Sequence, residues 1–195
     1  MASQMKKVAL FFGSFNPIHI GHMIIADYVA NHTECKEVWF VVSPHNPHKE
    51  KKTLLADHQR LAMVRRTTEN DPRLRASDIE FHLDQPSYTV NTLVHLKEKH
   101  PEVEFSLLMG GDNLASLHKW KNYESILENH PIICYSRPSS NTSDLNLKGN
   151  ITVLDAPLMQ ISSSHIRKQI AAGHSVKYLM PLEAWQYLDE MNFYR

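Results

Sequence analysis

Two histidines, His19 and His22, stand three residues apart around Gly21 in the stretch FFGSFNPIHIGHMIIADY, Phe11 to Tyr28. Imidazoles at that spacing share one face of a helical turn, so both rings can meet a single ligand. Gly13 lets the chain turn sharply after the apolar run before it, Pro17 can fix the first helical φ, and Gly21 leaves room beside the rings. The open N–H groups of such a turn are anion donors, so the chemistry these residues suit is the holding of a phosphate. Neither an HExxH pattern nor a cysteine cluster accompanies the pair, which argues against a zinc site.

Four further segments carry polar groups of the same kind. In SPHNPHK, Ser43 to Lys49, His48 and Lys49 offer cationic donors backed by Lys51 and Lys52. In DQPSYTVNTL, Asp84 to Leu93, Pro86 and Ser87 lead into a helix that Thr89 is placed to cap. In GGDNLASLHKW, Gly110 to Trp120, the paired glycines allow close approach. Asp112 there can accept from a ribose hydroxyl or orient a metal-bound water, and Trp120 can stack on an aromatic ring. In ISSSHIR, Ile161 to Arg167, Ser162 is a good N-cap, and Ser164 and Arg167 share a face. Helical side chains lean towards the N-terminus, so Arg167 can reach back to an anion held at the amides there.

The elements that must position these residues are legible as apolar runs. Val8–Phe12, Glu37–Val42, Glu104–Met109, Ile132–Tyr135 and Ile151–Leu154 read as strands. Helical patterns lie between them at about Ile18–Asn31, Leu55–Glu69, Thr89–Lys99, Leu114–Leu127 and Ser163–Ala172, and one more helix opens at Pro181. Continuous apolar runs belong to strands covered on both faces. The pattern predicts a doubly wound, mostly parallel, Rossmann-like α/β sheet with helices on both faces and a helical C-terminus. Ligands of such sheets sit beyond the carboxyl ends of the strands, where the polar segments fall. The Ser- and Asn-rich segment Ser136 to Asn150 reads as a mobile surface loop within one domain spanning 1–195.

Composition narrows the partners. Lys plus Arg and Asp plus Glu balance at 21 each, so no global field exists to hold a long nucleic acid. The N-terminal apolar run is too short for a signal sequence or a membrane span. Cys35 and Cys134 are far apart and suit a reducing cytoplasm. Small-molecule partners, no nucleic acid and no membrane are expected, with room left for a homo-oligomer.

The pattern His19-Ile20-Gly21-His22 resembles the HxGH signature of the nucleotidylyltransferase superfamily, which transfers nucleotidyl units from nucleoside triphosphates. Taken in order, the five segments resemble the bacterial nicotinate mononucleotide adenylyltransferase family from Val8 to the C-terminus. The likeness includes PSYTVNTL, GGDNLASLHKW and YLMP (Tyr178 to Pro181). That family usually shows Gly-Gly-Thr-Phe-Asp-Pro where this chain has Phe12-Gly13-Ser14-Phe15-Asn16-Pro17. It often shows Pro-Pro-His-Arg or Pro-Pro-His-Lys where this chain has Asn46-Pro47-His48-Lys49. Ser14 preserves a hydroxyl, whereas Asn16 keeps shape and loses a charge.

The resemblance implies that ATP and nicotinate mononucleotide give nicotinate adenine dinucleotide (deamido-NAD) and pyrophosphate, a step of NAD biosynthesis. It implies catalytic roles for His19, His22, Lys49 and Arg167. ATP would lie among Gly13, Ser14, Phe15, His48, Gly110, Asp112, Ile161, Ser162 and Ser164. Nicotinate mononucleotide would meet Asn16, Ser43, Ser87, Tyr88, Thr89 and Trp120, its ring against Trp120 and its carboxylate near the amides at Tyr88 and Thr89. Mg²⁺ would bridge phosphates mainly through water, without dedicated protein ligands. Two rivals are another HxGH adenylyl- or cytidylyltransferase, for instance one with a phosphopantetheine acceptor, and a catalytically silent nucleotide-sensing module. PSYT and Trp120 argue against the first, and the intact His19, His22, Lys49 and Arg167 against the second.

Overall fold

The computed structural model describes residues 5–44, 54–135, 147–157 and 159–195. Six strands, β1 (Lys6–Gly13), β2 (Glu37–Val42), β3 (Leu74–Ser77), β4 (Val103–Gly110), β5 (Ile132–Tyr135) and β6 (Ile151–Leu154), form one sheet in the order β3-β2-β1-β4-β5-β6. Every pairing is parallel. The helices are α1 (Ile20–His32), α2 (Asp57–Thr68), α3 (Thr89–Lys99), α4 (Gly111–Ala115), α5 (Tyr123–Asn129), α6 (Ser163–Ala171) and α7 (Leu182–Glu190).

Alternation along the strands explains the two layers of helices. Ala9 and Phe11 of β1 and Val38, Phe40 and Val42 of β2 pack on one face with residues of α1, α2, α6 and α7. Val8 and Leu10 of β1, Trp39 and Val41 of β2, and Phe105 and Leu107 of β4 pack on the other with α3, α4 and α5. Side chains that alternate across a strand and are apolar at every position require cover on both sides. Each such side chain, fully buried, contributes about 1.5–3 kcal/mol.

The order reverses between β1 and β4, which makes their carboxyl ends the switch point of the sheet. The register that pairs Lys6 with Val103 and Phe11 with Leu108 brings Gly13 and Gly110 level with each other. Two glycine-ended strands therefore open side by side into the first and fourth polar segments, the fourth entering α4 directly.

Several local expectations change. α1 begins at Ile20 with His19 as N-cap, so Pro17 lies in the preceding turn, after a cis bond to Asn16, and does not fix a helical φ. Tyr88, not Thr89, occupies the N-cap of α3. The single helix expected over Leu114–Leu127 is divided into α4, a short 3-10 turn at Leu117–Lys119, and α5. The break is made by Trp120 in an extended conformation and by Asn122 at a left-handed φ of 52°. β3 was not expected at all, being a short edge strand of mixed polarity. The loop expected from Ser136 falls largely outside the described residues.

Candidate active site

His19 is buried at the N-cap of α1, and its backbone N–H donates to Nδ1 of His22 at 3.2 Å. The two rings stack with centroids 3.7 Å apart and planes inclined by 23°. Gly21 is needed for this: a Cβ there would lie 3.1 Å from Nδ1 of His19. Beneath His22 lies the ring of Phe15, 5.1 Å away and edge-on, itself packed on Phe11 and Phe40. Phe15 is 2% exposed at a left-handed φ of 43°, so its side chain supports His22 and only its backbone can meet a nucleotide. Gly13 accommodates that ring, since a Cβ at Gly13 would sit 2.9 Å from it.

The loop from Ser14 to Pro17 is held by its carbonyls. Arg60, with no exposed surface, donates from Nη1 to the carbonyls of Ser14 (2.6 Å) and Ser43 (2.8 Å), and from Nε to that of Leu55 (3.1 Å). Its remaining nitrogen pairs with Asp57. Arg167 donates to the carbonyl of Asn16 at 2.7 Å and to Oγ of Ser164 at 3.3 Å. Ser163 donates to the carbonyl of Pro17 at 2.9 Å. In a planar trans peptide the C=O and the next N–H point oppositely, so carbonyls fastened on one side turn the amides of Phe15 and Ile18 to the other. Asn16, 4% exposed, accepts at Oδ1 from the N–H of Leu55 (3.2 Å) and the hydroxyl of Tyr194 (2.5 Å). Burial pushes the Tyr194 phenol well up, with the charges of Arg167 and Arg60 pulling the other way.

A second cluster joins Ser43 to the third segment. Glu80 is 3% exposed and accepts from the Thr92 hydroxyl at 2.8 Å, with the hydroxyls of Ser43 and Ser87 near enough to favour its charged form. Burial raises its carboxyl above the usual range, and the three hydroxyls oppose the shift. From there the chain of contacts continues. Tyr88 is 41% exposed, and the Lys121 ammonium sits 4.5 Å from its ring centroid, next to Trp120. Trp120 is half-buried, packed in part against the core. Ser43 and Ser87 thus converge on Glu80, and Tyr88 lies against Lys121, the residue after Trp120.

Of the other expected residues, Ser162 caps α6 through a bond from the His165 N–H at 3.2 Å. Ile161 is buried in the core, so it too can offer only backbone. Gly110 ends β4 against the Tyr135 ring, and Asp112 is exposed one residue into α4. His48 and Lys49, with Lys51 and Lys52, lie outside the described residues. Arg60, Glu80 and Tyr194 were not anticipated. Asp57 three residues before Arg60 was the one available sign of a held guanidinium. Among the described residues, no group of three or more His, Cys, Asp or Glu could hold a metal ion, and no helix is long and apolar enough to cross a membrane.

Comparison with known proteins agrees with this architecture. A family described as cytidylyltransferase-like matches residues 10–169. A relative in Flavobacterium johnsoniae is 53% identical over 191 residues, covering 97% of this chain and 99% of its own. One in Bacteroides fragilis is 43% identical over 174 residues, covering 89% and 87%. Both bear the name "Probable nicotinate-nucleotide adenylyltransferase". A Plasmodium falciparum nicotinic acid mononucleotide adenylyltransferase, solved as a complex with NaAD, shares the fold with a TM-score of 0.82 at 23% identity, over 97% of each chain. By its sequence relatives and its cytidylyltransferase-like core, the chain belongs to the nicotinate-nucleotide adenylyltransferase family.

Proposed function

We propose that this protein transfers the adenylyl group of ATP to nicotinate mononucleotide, giving nicotinate adenine dinucleotide and pyrophosphate. The observation that carries the reading is the stacked His19–His22 pair at the β1/β4 switch point, braced from α6 by Arg167. Family membership supplies the substrates.

The acceptor phosphate is a monoester with a second pKa of about 6, mostly dianionic at neutral pH, so it needs no general base. One of its oxygens forms a bond to the α-phosphorus of ATP while the bond from that phosphorus to the bridging oxygen breaks, and the electron pair leaves on pyrophosphate. What the chain supplies is position and charge. The two imidazoles, Arg167, Lys49 and the amides at the α6 N-terminus would face the phosphates and stabilise negative charge as it moves to the leaving group. Trp120 would hold the pyridine ring, and the first amides of α3 would face its carboxylate. Mg²⁺ would arrive with the triphosphate and supply charge screening there, and the exposed Asp112 would be the carboxylate available to hold one of its waters. Balanced charge and two buried free cysteines, Cys35 and Cys134, suit a cytoplasmic enzyme of small molecules.

The test is purified protein with Mg·ATP and a panel of phosphate acceptors, with products read by mass spectrometry. Nicotinate adenine dinucleotide with equimolar pyrophosphate is expected. Adenylation of phosphopantetheine alone, or nucleotide binding without turnover, would replace this reading.

A further inference from the structure

We propose that Tyr194 is a positioning residue for adenylyl transfer, acting through Asn16 on the loop that leads into the histidine pair. The inference rests on the adenylyl-transfer reading and adds a residue from beyond all five polar segments.

Tyr194 lies in the turn after α7, behind Phe193, which is buried against Tyr187. Its φ of 65° is left-handed, a conformation a bulky L-residue keeps only where its surroundings over-determine it. What it achieves there is a 2.5 Å hydrogen bond from its hydroxyl to Oδ1 of Asn16. That oxygen also accepts from the Leu55 N–H, and the carbonyl of the same residue accepts from Arg167. One buried residue, through its side chain and its carbonyl, thereby gathers the approach to α2, helix α6 and the C-terminal turn onto a single point.

That point is mechanically placed. Phe15, immediately before Asn16, is itself held left-handed with its ring under His22, and His19 follows three residues later. Two donors on Oδ1 fix which way the Asn16 amide faces; removing the Tyr194 hydroxyl takes away one of them. The loop can then relax by a fraction of an ångström, and the imidazoles with it. Misplacement on the scale of an ångström is enough to cost about a hundred-fold in rate.

Tyr194→Phe keeps the ring and removes only the hydroxyl. The expected result is a fall in kcat of about ten-fold, with both KM values within about two-fold and a nearly unchanged thermal midpoint. In a double-mutant cycle, Tyr194→Phe should add nothing to Asn16→Ala, because one acts through the other. Amide exchange at Leu55 should quicken in Tyr194→Phe while β1 and β4 stay protected. A kcat equal to wild type, multiplicative losses in the cycle, or unchanged exchange at Leu55 would each overturn the proposal. If the wild-type protein makes no dinucleotide, the functional reading has failed, and exchange at Leu55 still decides whether the tether exists.

Discussion

The backbone N–H of His19 donates to Nδ1 of His22, so the neutral ring of His22 carries its proton on Nε2. The assignment follows from the bond, because Nδ1 can accept only when unprotonated. Nε2 is then a donor, the role required beside a phosphate that gains charge.

His22→Asn separates the two duties of this ring. An asparagine amide can still accept from the His19 N–H but has nothing in place of Nε2. The variant should fold with a near-normal thermal midpoint, while kcat falls by about two to four powers of ten and KM for the acceptor moves little. Steady-state kinetics beside a melting curve checks both halves; near-normal turnover would remove His22 from the chemistry.

Discrimination between acid and amide acceptors should be strong. The first amides of α3 precede any helical acceptor, and an amide substituent would set N–H donors against them. Leaving donors opposed costs about 1–3 kcal/mol per group. Nicotinate mononucleotide should therefore exceed nicotinamide mononucleotide in kcat/KM by about one to several powers of ten. Trp120→Ala should raise KM for both without restoring the amide. Equal kcat/KM for the two acceptors in wild type would contradict the placement of the carboxylate.

Arg60 is a stability hot point of the site. Arg60→Met strips the donors from the carbonyls of Ser14, Ser43 and Leu55 and leaves Asp57 without its pair. The loss should be about 3–5 kcal/mol, a fall of roughly 10 °C in Tm for a chain of this size. Arg60→Lys should recover only part, since an ammonium cannot span the same carbonyls as a fork. Urea unfolding of the two variants measures this; a midpoint within a degree of wild type would refute it.

Glu80 gives a pH dependence with a definite sign. Its carboxyl is raised by burial, so the fold prefers the protonated form. The stability it contributes is fully present below the unfolded value, ordinarily 4.5, and is lost as pH rises through the raised folded value. Glu80→Gln removes this titration while keeping an acceptor for the Thr92 hydroxyl. The difference in Tm between Glu80→Gln and wild type should shift in favour of the variant as pH rises from about 4 to neutrality. A difference independent of pH, or one of opposite slope, would show that Glu80 is not held as inferred.

The residues expected to face a ligand are easier to read in the sequence than those that hold them in place. His19, Gly21, His22, Ser162 and Arg167 announce themselves by type and spacing, and the strands by apolar runs that leave no polar face. Arg60, Glu80 and Tyr194 do not. A charged residue in a helical pattern reads as solvated surface, because burial of such groups is rare and depends on partners brought from elsewhere in the fold. Asn122 starts α5 afresh inside the helix expected through Leu127 by a left-handed backbone conformation, a property that Asn permits without requiring. β3 escaped notice because Leu74 alone among its four residues is buried.

The loop before the histidines is fastened by partners remote along the chain. Ser163 to Pro17, Arg167 to Asn16 and Tyr194 to Asn16 span 146, 151 and 178 positions. Closures of that span carry a larger entropic cost than the neighbouring β1–β2 pairing and should be made later. Backbone order and catalytic competence should therefore run on two separate clocks during refolding: ellipticity should return first, and turnover only when the segment from Ser163 to the C-terminus has docked.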